Sequence, residues 1–200
     1  GNVQASETPP RILYHPELQY DSKDVAFNQP KRKVSMQYTT NDFIKDCQLF
    51  NTIAGKDGVP TKKALLEQIE LIQEELNETK RDLLAGNHTG LLDGYVDVMV
   101  TAAGLGQMLD ALQMDTLGAM KATAANNLTK FLDEADVDTC IETLNMYGDK
   151  GVGIIYERNP TYGKVVFKDI NNKVRKPSNF ISNDVSSFVP LGLIITEGDE

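Results

Sequence analysis

Leu91-Leu92-Asp93-Gly94-Tyr95-Val96-Asp97-Val98-Met99-Val100 is the stretch on which the fold turns. Apart from its two aspartates it is apolar, and Ala102, Ala103, Gly104 and Gly106 follow it. The pattern predicts a helix over about 89–110 that is apolar on nearly all sides. Its small residues let neighbouring backbones approach closely, which places it at the centre of a bundle. Stranding a carboxylate in such a helix costs several kcal/mol unless it is paired or coordinated. Asp93 and Asp97 lie one turn apart and share a face with Val100 and Gly104.

Upstream, residues 61–85 read as a second helix, capped by Thr61 and stopped at Gly86. Leu65, Ile69, Ile72, Leu76 and Leu83 form an apolar stripe that is expected to be its buried face. Within it lies Glu74-Glu75-Leu76-Asn77-Glu78. At about 100° per residue, Glu75 and Glu78 fall beside that stripe with Leu71 and Asp82, while Glu74 points to solvent. Alone, Glu75 and Glu78 read as a solvated face; for Asp93 and Asp97, whose helix has little polar surface, two buried acids satisfied by hydrogen bonds is the lesser reading. Together, on consecutive helices with a short connection, four carboxylates suit a hard divalent cation. Magnesium takes about six oxygens at roughly 2.0–2.1 Å and commonly keeps waters and phosphates among them.

The remaining pattern is mainly helical. Residues 39–54 carry Phe43, Ile44, Cys47, Phe50 and Ile53 at helical spacing, with Thr40 or Asn41 as the cap, and end at Gly55 and Gly58-Val59-Pro60. A fourth helix is expected from about 115 to 132 and a short fifth from about 137 to 147. After Gly148, residues 152–156 and 164–168 are short β-type runs flanking Arg158-Asn159-Pro160-Thr161-Tyr162-Gly163, a small hairpin. The expected organisation is an extended arm (1–38), a helical core (39–147), and a hairpin, basic loop and tail (148–200). Pro9, Pro10, Pro16 and Pro30 break any helix in the arm, and Tyr14, Leu18, Tyr20 and Phe27 are its candidate anchors.

The 200 residues, 40% hydrophobic and 24% charged, describe an ordinary globular chain with enough length for a core. A formal net charge of −9 argues against a surface for duplex nucleic acid. The short Lys31-Arg32-Lys33 run reads as solvated. Cys47 and Cys140 stand far apart without CxxC or clustered His, so neither a disulfide framework nor zinc is expected. A reducing, cytoplasmic setting is favoured. No stretch is long and apolar enough to span a membrane, and no signal peptide opens the chain.

The acidic pairs carry a family resemblance. Over roughly residues 42–180 the chain resembles the MazG-like all-α nucleoside triphosphate pyrophosphohydrolases, in their phosphoribosyl-ATP pyrophosphohydrolase-like, phage-type branch. Glu75-Leu76-Asn77-Glu78 is similar to the family's ExxE motif, and Asp97 matches the end of its ExxD motif. Gly94 stands where that motif has its Glu, and the carboxylate sits one residue earlier, at Asp93; the phage-type branch looks similar in having Asp-x-x-x-Asp. Ala125-Asn126-Asn127-Leu128-Thr129-Lys130-Phe131 resembles the branch's Ser-Asn-Met-Ser-Lys segment. Asn172-Lys173-Val174-Arg175-Lys176-Pro177 resembles its Gly-Lys-x-x-Lys-Pro loop, with Asn172 in place of Gly.

The resemblance implies hydrolysis of an NTP or dNTP to the monophosphate and pyrophosphate. It implies Mg2+, with Mn2+ as the alternative, held by Glu75, Glu78, Asp93 and Asp97. Catalysis would fall to Glu75, Glu78 and Asp97, and the phosphates to Asn127, Lys130, Lys173 and Lys176. It further implies an antiparallel helical bundle completed by dimerisation, as a homodimer or a dimer of dimers. The location would be the cytoplasm, that of a host if the chain is phage-encoded. A metal-free helical interaction module, or the same chemistry on phosphoribosyl-ATP or a guanosine alarmone, are the rival expectations. Gln48 and Asn51, generic amides on the first helix, are candidate base contacts.

Overall fold

The computed structural model describes residues 37–198. The expected arm and its Lys31-Arg32-Lys33 run lie almost wholly outside the described residues. The chain is mainly helical with a small antiparallel sheet. Its helices are α1 (Thr40–Ile53), α2 (Lys62–Leu84), α3 (His88–Ala111), α4 (Thr116–Leu128) and α5 (Val137–Asp149). The strands are β1 (Leu132–Asp133), β2 (Ile154–Asn159) and β3 (Lys164–Asp169). Among the described residues no helix is long and apolar enough to cross a membrane.

Each helix begins at a side-chain oxygen that satisfies an otherwise orphaned backbone N–H. Thr39, rather than Thr40 or Asn41, caps α1, because Asp42 three residues on completes a reciprocal capping box with it. Thr61 caps α2 as expected, accepting from the Ala64 N–H at 3.2 Å. Asn87, Asp115 and Asp136 do the same for α3, α4 and α5.

α2 and α3 form an antiparallel hairpin and share the most extensive helix contact in the chain, with α1 packed on α3. The residues of α2 withdrawn from solvent are Ala64, Leu65, Gln68, Ile72, Glu75, Thr79 and Asp82. That line is turned by roughly 60° from the apolar stripe read in the sequence. Ile69, Leu76 and Leu83 consequently remain 49%, 46% and 58% exposed. The reason lies in α3, whose Gly94 and Gly104 offer flat surface that only slim or polar side chains occupy. Thr79 packs against Gly94, and Gln68 lies over Gly104 while its Nε2 donates to the Thr101 carbonyl at 2.8 Å.

α3 is touched by α1, α2 and α4, as a central helix should be, but one side is open. Leu92 and Tyr95 are 65% and 59% exposed, so in the single chain part of its apolar surface is uncovered. Asn51 Nδ2 donates to Gln107 Oε1, and Gln107 Nε2 donates to the Gln48 carbonyl, so these amides tie α1 to α3.

The C-terminal portion departs from the expected hairpin. α4 ends at Leu128, four residues early, and the chain turns so that Leu132 and Asp133 pair with Val165 and Lys164. The sheet therefore has three strands in the order β1-β3-β2. Leu132 joins Cys140, Val165 and Phe167 in a buried apolar cluster, with Ile154 packed against it. Continuing α4 would have left Leu132 outside that cluster. β3 alternates strictly, burying Val165, Phe167 and Asp169, as a central strand covered on one face does.

Candidate metal centre and phosphate contacts

The α2–α3 register decides which acids meet. Thr79 abuts Gly94, so Glu75, one turn before Thr79, falls level with Asp97, about one turn after Gly94. Both are half-buried, and each has a threonine one turn on, Thr79 and Thr101, whose hydroxyl donates back to its carbonyl at 2.7 and 2.9 Å. The Glu75 carboxyl is pushed above the usual carboxylate range, first by burial and then by the charges of Asp97, Glu78, Glu74 and Asp93 in that order.

The other acids stand further out. Asp93 is exposed, not buried in an apolar helix, and of the four acids acting on Glu75 its influence is the weakest. Glu78 is exposed and accepts from Arg81 Nη2 at 2.8 Å. Exposed pairs of this kind contribute about 0–1 kcal/mol, so the contact is easily exchanged. Glu74 is exposed and, one turn and only about 40° from Glu78, shares a shallow depression with it, Lys80 and Arg81, so setting Glu74 apart from Glu78 does not hold.

The donors fit a hard divalent cation in kind. All are carboxylate oxygens, and the charge they concentrate around Glu75 is what a cation relieves. They do not form a closed cage. Among the described residues no three His, Cys, Asp or Glu converge closely enough to hold an ion. Glu75 and Asp97 are the facing pair. Recruiting Glu78 requires it to leave Arg81.

A second group of predicted residues does come together, at the C-terminal end of α4. Lys130 Nζ donates to Asn127 Oδ1 at 2.8 Å and stands 5.9 Å from the centre of the Phe180 ring. Lys176 Nζ stands 4.8 Å from the centre of the same ring. Lys173 is not part of this group; its backbone N–H donates to Asp169 Oδ1 and its carbonyl accepts from the Asp169 N–H. It belongs to a tight turn in which Asn172 has φ +61°, the left-handed region where the Gly of the resembled loop is at home and Asn is tolerated.

That turn is locked by Asp169, which is 4% exposed. Its carboxylate accepts from the Lys173 and Asn171 N–H groups and pairs with Arg175 at 2.7 Å. These contacts, the Lys173 hydrogen bond foremost, hold its carboxyl below the usual range despite burial. Phe180 was absent from the expected site residues. The available signal was an aromatic placed three residues after Lys176-Pro177, but nothing in its spacing ties it to Lys130.

No family model, curated protein or solved structure matches this chain. The family resemblance therefore rests on the sequence motifs alone.

Proposed function

We propose that this chain is a Mg2+-dependent nucleotide pyrophosphohydrolase that converts an NTP or dNTP to the monophosphate and pyrophosphate, serving nucleotide pool control or sanitation. The observation that carries the reading is the juxtaposition of Glu75 and Asp97 across the antiparallel α2–α3 hairpin, within a field of further carboxylates. Glu75 and Asp97 would hold the ion, with Glu78 and Asp93 reaching it from the two flanks. When bound, Mg2+, or Mn2+ in its place, neutralises phosphate charge and lowers the pKa of a bound water. A carboxylate of this group orients the attacking water and takes its proton. Lys130 and Lys176, as compact point charges, receive the phosphates, with Asn127 beside them.

The open side of the hairpin supports a second part of the reading, a homodimer or a dimer of dimers. Ile69, Leu76, Leu83, Leu92 and Tyr95 are large, apolar and exposed on adjoining helices. A second copy laying its own hairpin there would complete a four-helix bundle. Sedimentation at micromolar concentration is expected to show a dimer or tetramer; monomer alone would count against it. The same apolar surface also favours the rival, a metal-free helical interaction module.

The activity test is release of pyrophosphate from a panel of canonical and modified NTPs and dNTPs in Mg2+ or Mn2+. Turnover is expected, and Glu75→Gln or Asp97→Asn should lower it about a hundredfold or more. Absence of turnover across the panel, or unchanged turnover in both variants, would remove the enzyme reading.

A further inference from the structure

We propose that Phe180 makes one phosphoryl-binding site out of two lysines that are 46 residues apart in the chain, Lys130 and Lys176. This rests on the reading of those lysines as phosphate contacts, and needs neither the metal nor hydrolysis. Both ammonium groups lie over the Phe180 ring, at 5.9 and 4.8 Å from its centre. Their remaining partners are Asn127 Oδ1 at 2.8 Å for Lys130 and Ser182 Oγ at 3.4 Å for Lys176. Every one of these partners is neutral. Among the described residues neither lysine enters an ion pair, although the chain has 29 acidic residues against 20 basic.

The choice of neutral holders has a consequence. A carboxylate fixes an ammonium and cancels its charge, whereas an aromatic face, an amide or a hydroxyl fixes it and leaves the charge available. Two uncancelled like charges held at one ring, no more than about 11 Å apart, repel each other, and an anion that both can reach relieves that repulsion. Each ammonium has three donors and spends one on its side-chain oxygen, so donors remain for a tetrahedral oxyanion.

The site is built rather than left to a free loop. Residues 176–183 cross from α5 to α4 and are anchored at both ends. Tyr147 Oη donates to the Lys176 carbonyl at 2.8 Å, and the Ser178 N–H donates to the fully buried Thr143 hydroxyl at 2.9 Å. On α4, Asn126 Nδ2 donates to the Ile181 carbonyl at 2.7 Å, and Asn183 Nδ2 donates to the Thr123 hydroxyl at 3.0 Å. Pro177 is buried between these anchors. Phe180 is thus a positioning residue, delivered to Lys130 by the strap that carries Lys176.

The ligand is a phosphoryl oxyanion, supplied either by the phosphate chain of a nucleotide or by free pyrophosphate. Calorimetric titration of the full chain in EDTA, with inorganic pyrophosphate and separately with a nucleoside monophosphate and a nucleoside triphosphate, distinguishes the sources. Pyrophosphate is expected to bind, more weakly as salt rises. Lys130→Gln, Lys176→Gln and Phe180→Leu should each weaken it about tenfold, while Phe180→Tyr stays within about threefold of wild type. Phe180→Leu keeps an apolar side chain in place, so an unchanged melting temperature with weakened binding isolates the ring's role. Phe180→Ala that fails to fold does not replace that result. No binding of any phosphoryl ligand, or equal binding by wild type and Phe180→Leu, would overturn the proposal. Absent turnover with Phe180-dependent binding intact would sink the hydrolase reading and leave this one standing.

Discussion

Gly94 and Gly106 sit on the same helix, yet alanine at the two positions should move stability in opposite directions. In a helix interior alanine is favoured over glycine by about 1 kcal/mol, through the smaller entropy loss on folding. At Gly106 nothing lies within 4 Å of the added methyl, so that gain is realised in full. At Gly94 the methyl would overlap the Thr79 hydroxyl and approach its Cα and Cβ to 3.1 Å. Backbone cannot swing aside, so α2 and α3 separate at an overpacking cost of about 1–3 kcal/mol. The net is a loss of about 1 kcal/mol at Gly94→Ala and a gain of similar size at Gly106→Ala. For 200 residues, about 1 kcal/mol corresponds to 2–4 °C, which puts the two variants roughly 4–8 °C apart. Thermal unfolding followed by circular dichroism reads this directly. Gly94→Ala melting at or above wild type would refute the close approach, and with it the register that sets Glu75 level with Asp97.

Two further outcomes follow from the acidic residues. With Mg2+ at a hundred times its dissociation constant, wild type should gain about 2.7 kcal/mol of stability, or roughly 5–11 °C. Glu75→Gln and Asp97→Asn should lose that shift while melting no lower than wild type in EDTA, because each removes a negative charge from a crowded set; an undiminished shift in both variants would count against the site. Asp169 supplies the pH dependence. Its carboxyl is depressed in the folded chain, so its stabilising share is present above the ordinary aspartate value of about 3.9 and is lost as pH falls through the depressed one. Asp169→Asn should therefore melt lower than wild type at neutral pH and converge with it in strong acid, and parallel melting curves at all pH values would contradict this.

How much was legible along the chain depends on the range of the interaction involved. The α2 cap at Thr61, the breaks at Gly86 and Gly55, and the existence of two strands joined through Gly163 are local, settled within a few residues, although β2 begins two residues and ends three residues later than the expected 152–156 run. The end of α4 is not. Thr129 to Leu132 reads as continuing helix until Leu132 is seen to be needed beneath β3 by Val165 and Phe167. The buried face of α2 was misread for a related reason. Hydrophobicity marks Ile69, Leu76 and Leu83, but the partner helix presents glycines, and it is Gln68 and Thr79 that fit against them.

The candidate sites divide in the same way. Residue type and spacing along each helix were enough to single out Glu75, Glu78, Asp93 and Asp97 as candidate acids, because a carboxylate's chemistry and its angular position are properties of the segment that carries it. Which of them face one another was decided only by the packing of α2 on α3, which brings Glu75 to Asp97, leaves Asp93 in solvent and lends Glu78 to Arg81. Lys130 and Lys176 were likewise visible as separate basic positions. Their meeting over Phe180 depends on hydrogen bonds from α4 and α5 to a strap 29 to 60 residues away in sequence, and such long-range contacts leave no periodic mark for a one-dimensional reading to find.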